Sequence, residues 1–148
     1  MTKPATTIET IATSCIAGRL RLLNRVITNL YDEALRPIGV KLSQGNVLAV
    51  TAKLGVARPA EVCDILELDT STLSRTVDRM VENGWLEILP DDDGRSHPFR
   101  LTDQGKRLME KAIPAWEKAQ AEAKNLLGDD GLRLLDAAIK RIKSVQVK

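Results

Sequence analysis

One histidine, two cysteines and no long apolar run: these shortages remove most chemistries from this 148-residue chain at the outset. His97 alone cannot furnish a histidine-based metal site or the imidazole of a serine-histidine-aspartate relay with ligands to spare. Cys15 and Cys63 lie far apart without metal-ligand spacing, and a secreted disulfide framework needs more than two cysteines. No apolar stretch approaches the roughly 20 residues that cross a bilayer. Met1-Thr2-Lys3-Pro4 does not read as the start of a secretory leader. The expectation is a single domain over residues 1–148, cytoplasmic, not an enzyme, with no cofactor, no metal and no membrane partner.

Strong charge is missing as well. The formal net charge is +2. Between Lys41 and Arg100 seven basic residues face ten acidic ones, so the middle of the chain is negative. Bulk electrostatics therefore does not predict nucleic-acid binding. Binding would have to come from a few placed arginines and from helix N-termini.

What is present is helical pattern with one interruption. Residues 7–34 read as one long helix. Ile16, Leu20, Leu23, Ile27, Leu30, Tyr31 and Ala34 recur at three- and four-residue spacing, and Ile8, Ile11, Ala12 and Cys15 extend the stripe upstream. At 1.5 Å per residue it would run roughly 40 Å, too long for a small domain to cover, which calls for a partner chain. Ser43 is a candidate cap for a second helix near residues 44–53, stopped by Gly55. Pro59 opens a short third helix with Val62, Ile65 and Leu66 facing one way. Asp69 can cap a fourth, in which Leu73, Val77, Met80 and Val81 form the apolar stripe. Two short helices joined by a three-residue turn match a helix-turn-helix. Asn83-Gly84 stops the fourth helix, and two strands follow, residues 85–89 and 97–101, around the turn Pro90-Asp91-Asp92-Asp93-Gly94. His97 falls in the second of these strands. Thr102 can cap a fifth helix to about Leu127, broken by Gly128 and Gly131. The last helix carries Leu132, Leu135, Ile139 and Ile142 in a seam that wants another helix.

The second helix of such a motif lies in the DNA major groove, N-terminal part nearest the bases. Ser71, Thr72, Ser74 and Arg75 occupy that part, with Arg79 a turn later. Hydroxyls can bond phosphate or base edges, and arginine can take guanine bidentately. Arg95 stands at the tip of the turn, placed to enter a narrow minor groove, or else to pair with Asp91, Asp92 or Asp93. A solvated polar helix face is the ordinary alternative for the recognition residues. Cys15 is either a small buried hydrophobe or a redox switch, its thiolate favoured by Arg19 one turn on.

The layout resembles the MarR-type winged-helix regulators over nearly the full chain. The resemblance is carried by residues 68–75 (Leu68-Asp69-Thr70-Ser71-Thr72-Leu73-Ser74-Arg75), then Asn83-Gly84-Trp85-Leu86, Asp93-Gly94-Arg95-Ser96, and Leu101-Thr102-Asp103-Gln104-Gly105. It implies a mainly α fold with a small β-wing. Residues 40–101 would form the winged helix-turn-helix lobe, and residues 7–35 and 102–147 the dimerisation helices. It further implies a homodimer on pseudo-palindromic double-stranded promoter DNA, usually a repressor, released by a small aromatic effector or by cysteine oxidation. Ser71, Thr72, Ser74, Arg75 and Arg79 match the recognition positions, Asp93 and Arg95 the wing's acid and groove-entering arginine, with Ser96 beside them. Two departures stand out. Many members carry an aromatic after the glutamine that opens the second helix; here Gln44 precedes Gly45, which leaves room in a ligand cavity or weakens the helix by about 1 kcal/mol. The peroxide-sensing branch surrounds its thiol with tyrosines, whereas the helix holding Cys15 offers only Tyr31, about four turns away. The competing readings are a thiol-based regulator using Cys15 and a winged-helix interaction module that does not bind DNA. A small hydrolase or transferase ranks last, for want of a catalytic constellation.

Overall fold

The computed structural model describes residues 5–91 and 94–146. In chain order these are α1 (Ile8–Ser14), α2 (Ile16–Leu35), a 3-10 turn (Arg36–Ile38), α3 (Leu42–Leu54), α4 (Pro59–Leu66), α5 (Thr70–Glu82), β1 (Leu86–Ile88), β2 (Phe99–Leu101) and α6 (Asp103–Gln146). The mainly helical class with a small antiparallel wing is as the sequence predicts.

The central lobe has one apolar core. Val47 and Leu48 of α3, Val62 of α4, Leu73, Val77 and Met80 of α5, and Leu86, Phe99 and Leu101 of the strands are all buried together. The α5 stripe read from periodicity is therefore the face that meets this core, with Val81 half-buried at its edge. In α4 the single inward face is narrower than expected. Val62 is buried and Leu66 packs against the core, but Ile65 is exposed. β1 and β2 pair over three residues, Leu86 with Leu101, Glu87 with Arg100 and Ile88 with Phe99. Ala57 adds a one-residue bridge to Phe99 on the outer side of β2.

A second, smaller core joins the ends of the chain. Tyr31 of α2 is buried against Ala119 and Ala123 of α6, with Ile27, Leu30 and Ala34 around it. Its hydroxyl donates to Gln120 Oε1, which satisfies the one polar atom the ring carries inward. Burial raises the Tyr31 pKa above its usual value.

Four expectations need correction. The long first helix is broken: Cys15 is extended (φ −62°, ψ 117°), ending α1 and starting α2. Arg19 donates to the Ser14 carbonyl at 3.3 Å, which occupies an end group of α1, and the Thr13 hydroxyl bonds back to Glu9. The second helix starts earlier, at Leu42, and Ser43 is not its cap. The Lys41 N–H donates to Gln44 Oε1 (3.0 Å) and the Leu42 N–H to Asp32 Oδ1 (2.7 Å), so a tertiary contact does the capping. His97 lies outside the strand, with φ 42°. Pro98 has no N–H to give, so the ladder ends where the Leu89 N–H reaches the Pro98 carbonyl. Within α6 Gly128 leaves helical geometry (φ 70°, ψ 169°); the helix bends there, and Gly131 stays helical.

Gly45 faces open space apart from Val40, 3.9 Å from where a Cβ would sit. Gly45→Ala should therefore raise stability by up to about 1 kcal/mol, read as a higher midpoint in thermal melts.

Candidate nucleic-acid interface

α5 is built to stand out from the lobe. Asp69 caps it: the Thr72 N–H donates to Asp69 Oδ1 at 2.7 Å, the Ser71 hydroxyl to Oδ1 at 2.8 Å and the Thr72 hydroxyl to Oδ2 at 2.9 Å. That backbone bond, then the two hydroxyls, hold the Asp69 pKa down at about 2. The same bonds define the chemistry of Ser71 and Thr72. Their protons are committed to Asp69, so in this arrangement they present lone pairs and accept. They suit base amino groups better than phosphate oxygens.

A carboxyl held below its unfolded value near 3.9 stabilises the fold at every pH above that value. The contribution fades as pH falls towards the folded pKa. Asp69→Ala should thus lower the melting midpoint at pH 7. The gap to the parent should close as pH drops from about 4 to about 2. A gap that is constant with pH would contradict this account of the cap.

Two hollows flank α5. One, of about 610 Å³, lies between α4, α5 and the wing, with Leu73, Val77 and Phe99 on its floor, Ser74 and Asp78 from α5, and Arg58 and Arg95 at its rim. The other, about 240 Å³, lies between α5 and the start of α3. Among the described residues it is lined by Lys41, Ser43, Gln44, Thr72, Arg75, Thr76 and Arg79, three cations and no carboxylate. α5 is thus a ridge between two grooves. Ser71, Ser74, Arg75, Arg79 and Arg95 are exposed; Thr72 and Ser96 are half-buried. Asp93 lies outside the described residues.

This arrangement answers the charge objection. Acids outnumber bases between Lys41 and Arg100, yet the described residues put none of them in the α3–α5 cleft. Glu87 is taken by Arg100 at 2.5 Å on the strands. Sequence reasoning gave Ser43 and Gln44 roles only at the start of the second helix and did not single out Lys41, because all three lie outside the helix-turn-helix itself. Arg58 was missed for the same reason. The Ser96 hydroxyl donates to Asp91 Oδ2 and accepts from Arg58, so it ties the wing together.

The cysteines are unlike each other. Cys15 is exposed, but the Arg19 guanidinium goes to the Ser14 carbonyl. Cys63 is half-buried, and burial, then the carboxylates of Asp64 and Asp69, push its thiol pKa up. That disfavours a reactive thiolate. Among the described residues no cluster of three or more metal-ligating side chains is found, and no helix is long and apolar enough to cross a membrane.

Comparison with known proteins agrees with this geometry. The family model described as the MarR family matches residues 38–96. The multiple antibiotic resistance protein MarR of Salmonella typhimurium is 30% identical over 129 residues, which is 84% of this chain and 89% of that protein. MarR of Escherichia coli strain K12 gives the same identity over the same length. Among solved structures, a mutant MarR from E. coli complexed with operator DNA has a TM-score of 0.80 at 23% identity, covering 93% of this chain and 99% of that one. The M. tuberculosis transcriptional regulator MOSR in complex with DNA has a TM-score of 0.77 at 28% identity, covering 89% and 98%. With helix-turn-helix, wing and terminal helices all in place, the chain belongs to the MarR family of winged-helix transcriptional regulators.

Proposed function

We propose that this chain is a homodimeric repressor that binds a pseudo-palindromic operator, each protomer setting α5 in a major groove and its wing alongside. The observation that carries the reading is the ridge itself: an exposed polar helix with a cleft of three cations on one flank and the arginine-tipped wing on the other. Ser71, Thr72, Ser74 and Arg75 then face base edges, Arg79 and, across the cleft, Lys41 face phosphates, and Arg95 enters the minor groove. Relatives solved on DNA support the reading.

The dimer is supported by apolar surface that a single copy leaves in water. On α1 and α2 Ile8, Ile16 and Leu20 are exposed, and on the last limb of α6 Leu134, Ile139, Ile142 and Val145, at 44–72% for these four. Such a surface marks an association face. The test is titration of the DNA upstream of its own gene across a salt series. Saturable, sequence-selective binding that weakens steeply with salt is expected. No binding would favour the non-DNA interaction module, and binding without sequence preference would contradict the operator reading.

The effector's seat in this reading is a hollow between the two cores. This apolar space of about 260 Å³ is lined by Leu35, Val40, Leu42, Gly45, Ala112 and Trp116, among others. A cavity of about 150 Å³ accepts benzene, so the space suits one aromatic ring. A ligand wedged there would shift the DNA-reading lobe against the dimer helices. Gly45→Leu should fill the hollow and abolish release by candidate phenols while leaving operator affinity in place.

A further inference from the structure

The wing has short backbone support. Its ladder covers three residue pairs, and the last bond towards the tip is Leu89 N–H to the Pro98 carbonyl at 2.7 Å. Pro98 cannot donate, and His97 turns through positive φ, so the ladder cannot be extended. Further out, the Ser96 N–H and hydroxyl both donate to Asp91 Oδ2, which closes the two arms of the tip on each other. Among the described residues, a side chain from outside the wing also reaches this knot. Arg58 Nη1 donates to Ser96 Oγ across 38 residues of sequence.

Arg58 is well placed to be a strut. It is the residue before α4, in extended conformation (φ −105°, ψ 137°). Its neighbour Ala57 exchanges two backbone bonds with Phe99, 2.8 and 2.9 Å. The base of the guanidinium's own chain is therefore fixed to β2, and its head reaches the tip. The next residue after Arg58 starts a helix whose Val62 is fully buried, so the base of the strut is held on both sides.

We propose that Arg58 is a positioning residue for the wing: through Ser96 and Asp91 it sets where Arg95 is presented to DNA. The proposal rests on the operator-binding reading above. The rival role for an exposed arginine at this rim is a phosphate contact of its own.

A double-mutant cycle on operator affinity separates the two. Arg58→Ala should weaken binding about tenfold in the parent and leave it unchanged in an Arg95→Ala background, since the residue works only through Arg95. Arg58→Lys, which keeps a donor for Ser96, should recover part of the loss. In the free protein, amide exchange at Gly94 and Ser96 should speed up in Arg58→Ala while α5 amides keep their protection. An equal loss in both backgrounds, or wing exchange that does not change, overturns the proposal. A parent protein that binds no operator is a different result: it defeats the operator reading, while the exchange measurement still decides whether Arg58 holds the wing.

Discussion

Gly105→Ala should lower unfolding free energy by about 3 kcal/mol and the melting midpoint by about 10 °C, although alanine is the better helix former. Gly105 is buried in the first turn of α6. A Cβ there would run into the Trp85 carbonyl oxygen, lie 3.1 Å from the Trp85 carbonyl carbon and 3.2 Å from Leu101 Cδ2. Backbone cannot swing aside as a side chain can, and here it is pinned. The Thr102 N–H donates to that same Trp85 oxygen at 3.1 Å. The Thr102 hydroxyl donates to the Gly84 carbonyl at 2.5 Å and accepts from the Gly105 N–H at 3.0 Å. One threonine therefore caps α6 and fastens it to the turn that leaves α5. Moving α6 to admit a methyl group disturbs both. Gly45→Ala is the control, because the same substitution there meets only ordinary packing distances. Equal midpoints for the two variants would show that the close approach at Gly105 does not constrain the fold.

Arg75→Ala should produce the largest loss of operator affinity. A bidentate arginine–guanine pair accounts for about 1–3 kcal/mol of discrimination. A symmetric dimer loses it in both half-sites at once, so the expected loss is about 2–6 kcal/mol, from roughly thirtyfold to more than ten-thousandfold. Its character matters as much as its size. Arg75→Ala should relax preference at one base pair per half-site. Arg79→Ala should weaken all sequences alike and flatten the log–log salt dependence by about 1 for each phosphate it no longer neutralises. Competition against single-base operator variants distinguishes these. A uniform loss for Arg75→Ala would assign it to phosphate instead.

The DNA-reading part of the fold was legible because its signals are local. Pro59 opens α4, Asp69 caps α5, and Asn83-Gly84 ends it where the chain needs positive φ at Gly84 (78°). Such signals act within one turn and survive without tertiary context. The illegible parts were set from a distance. The apolar stripe runs through Cys15 without pause, yet the backbone breaks there, since a stripe facing away from this chain's own core does not report a backbone break. Ser43 is a good cap by type, but the bond is made one residue earlier, by the Leu42 N–H to Asp32, ten residues upstream of it. The motif from Leu101 to Gly105 could be quoted from sequence, whereas its reason, a helix start pressed onto Trp85, appears only when the two segments meet. The site behaved likewise. The exposed polar face of α5, with Ser71, Ser74, Arg75 and Arg79, was readable from the helix pattern. Lys41 and Arg58 were not, because folding alone brings them beside it.

Selection of bound duplexes from a random-sequence pool, followed by the mass of the complex with the winning duplex, tests the central claim most directly. The account predicts enrichment of an inverted repeat whose half-sites lie about one helical turn apart, bound by two protomers, with affinity collapsing when about 5 base pairs are inserted between the halves. Enrichment of a single unpaired half-site, one protomer per duplex, or no enriched sequence at all would contradict it.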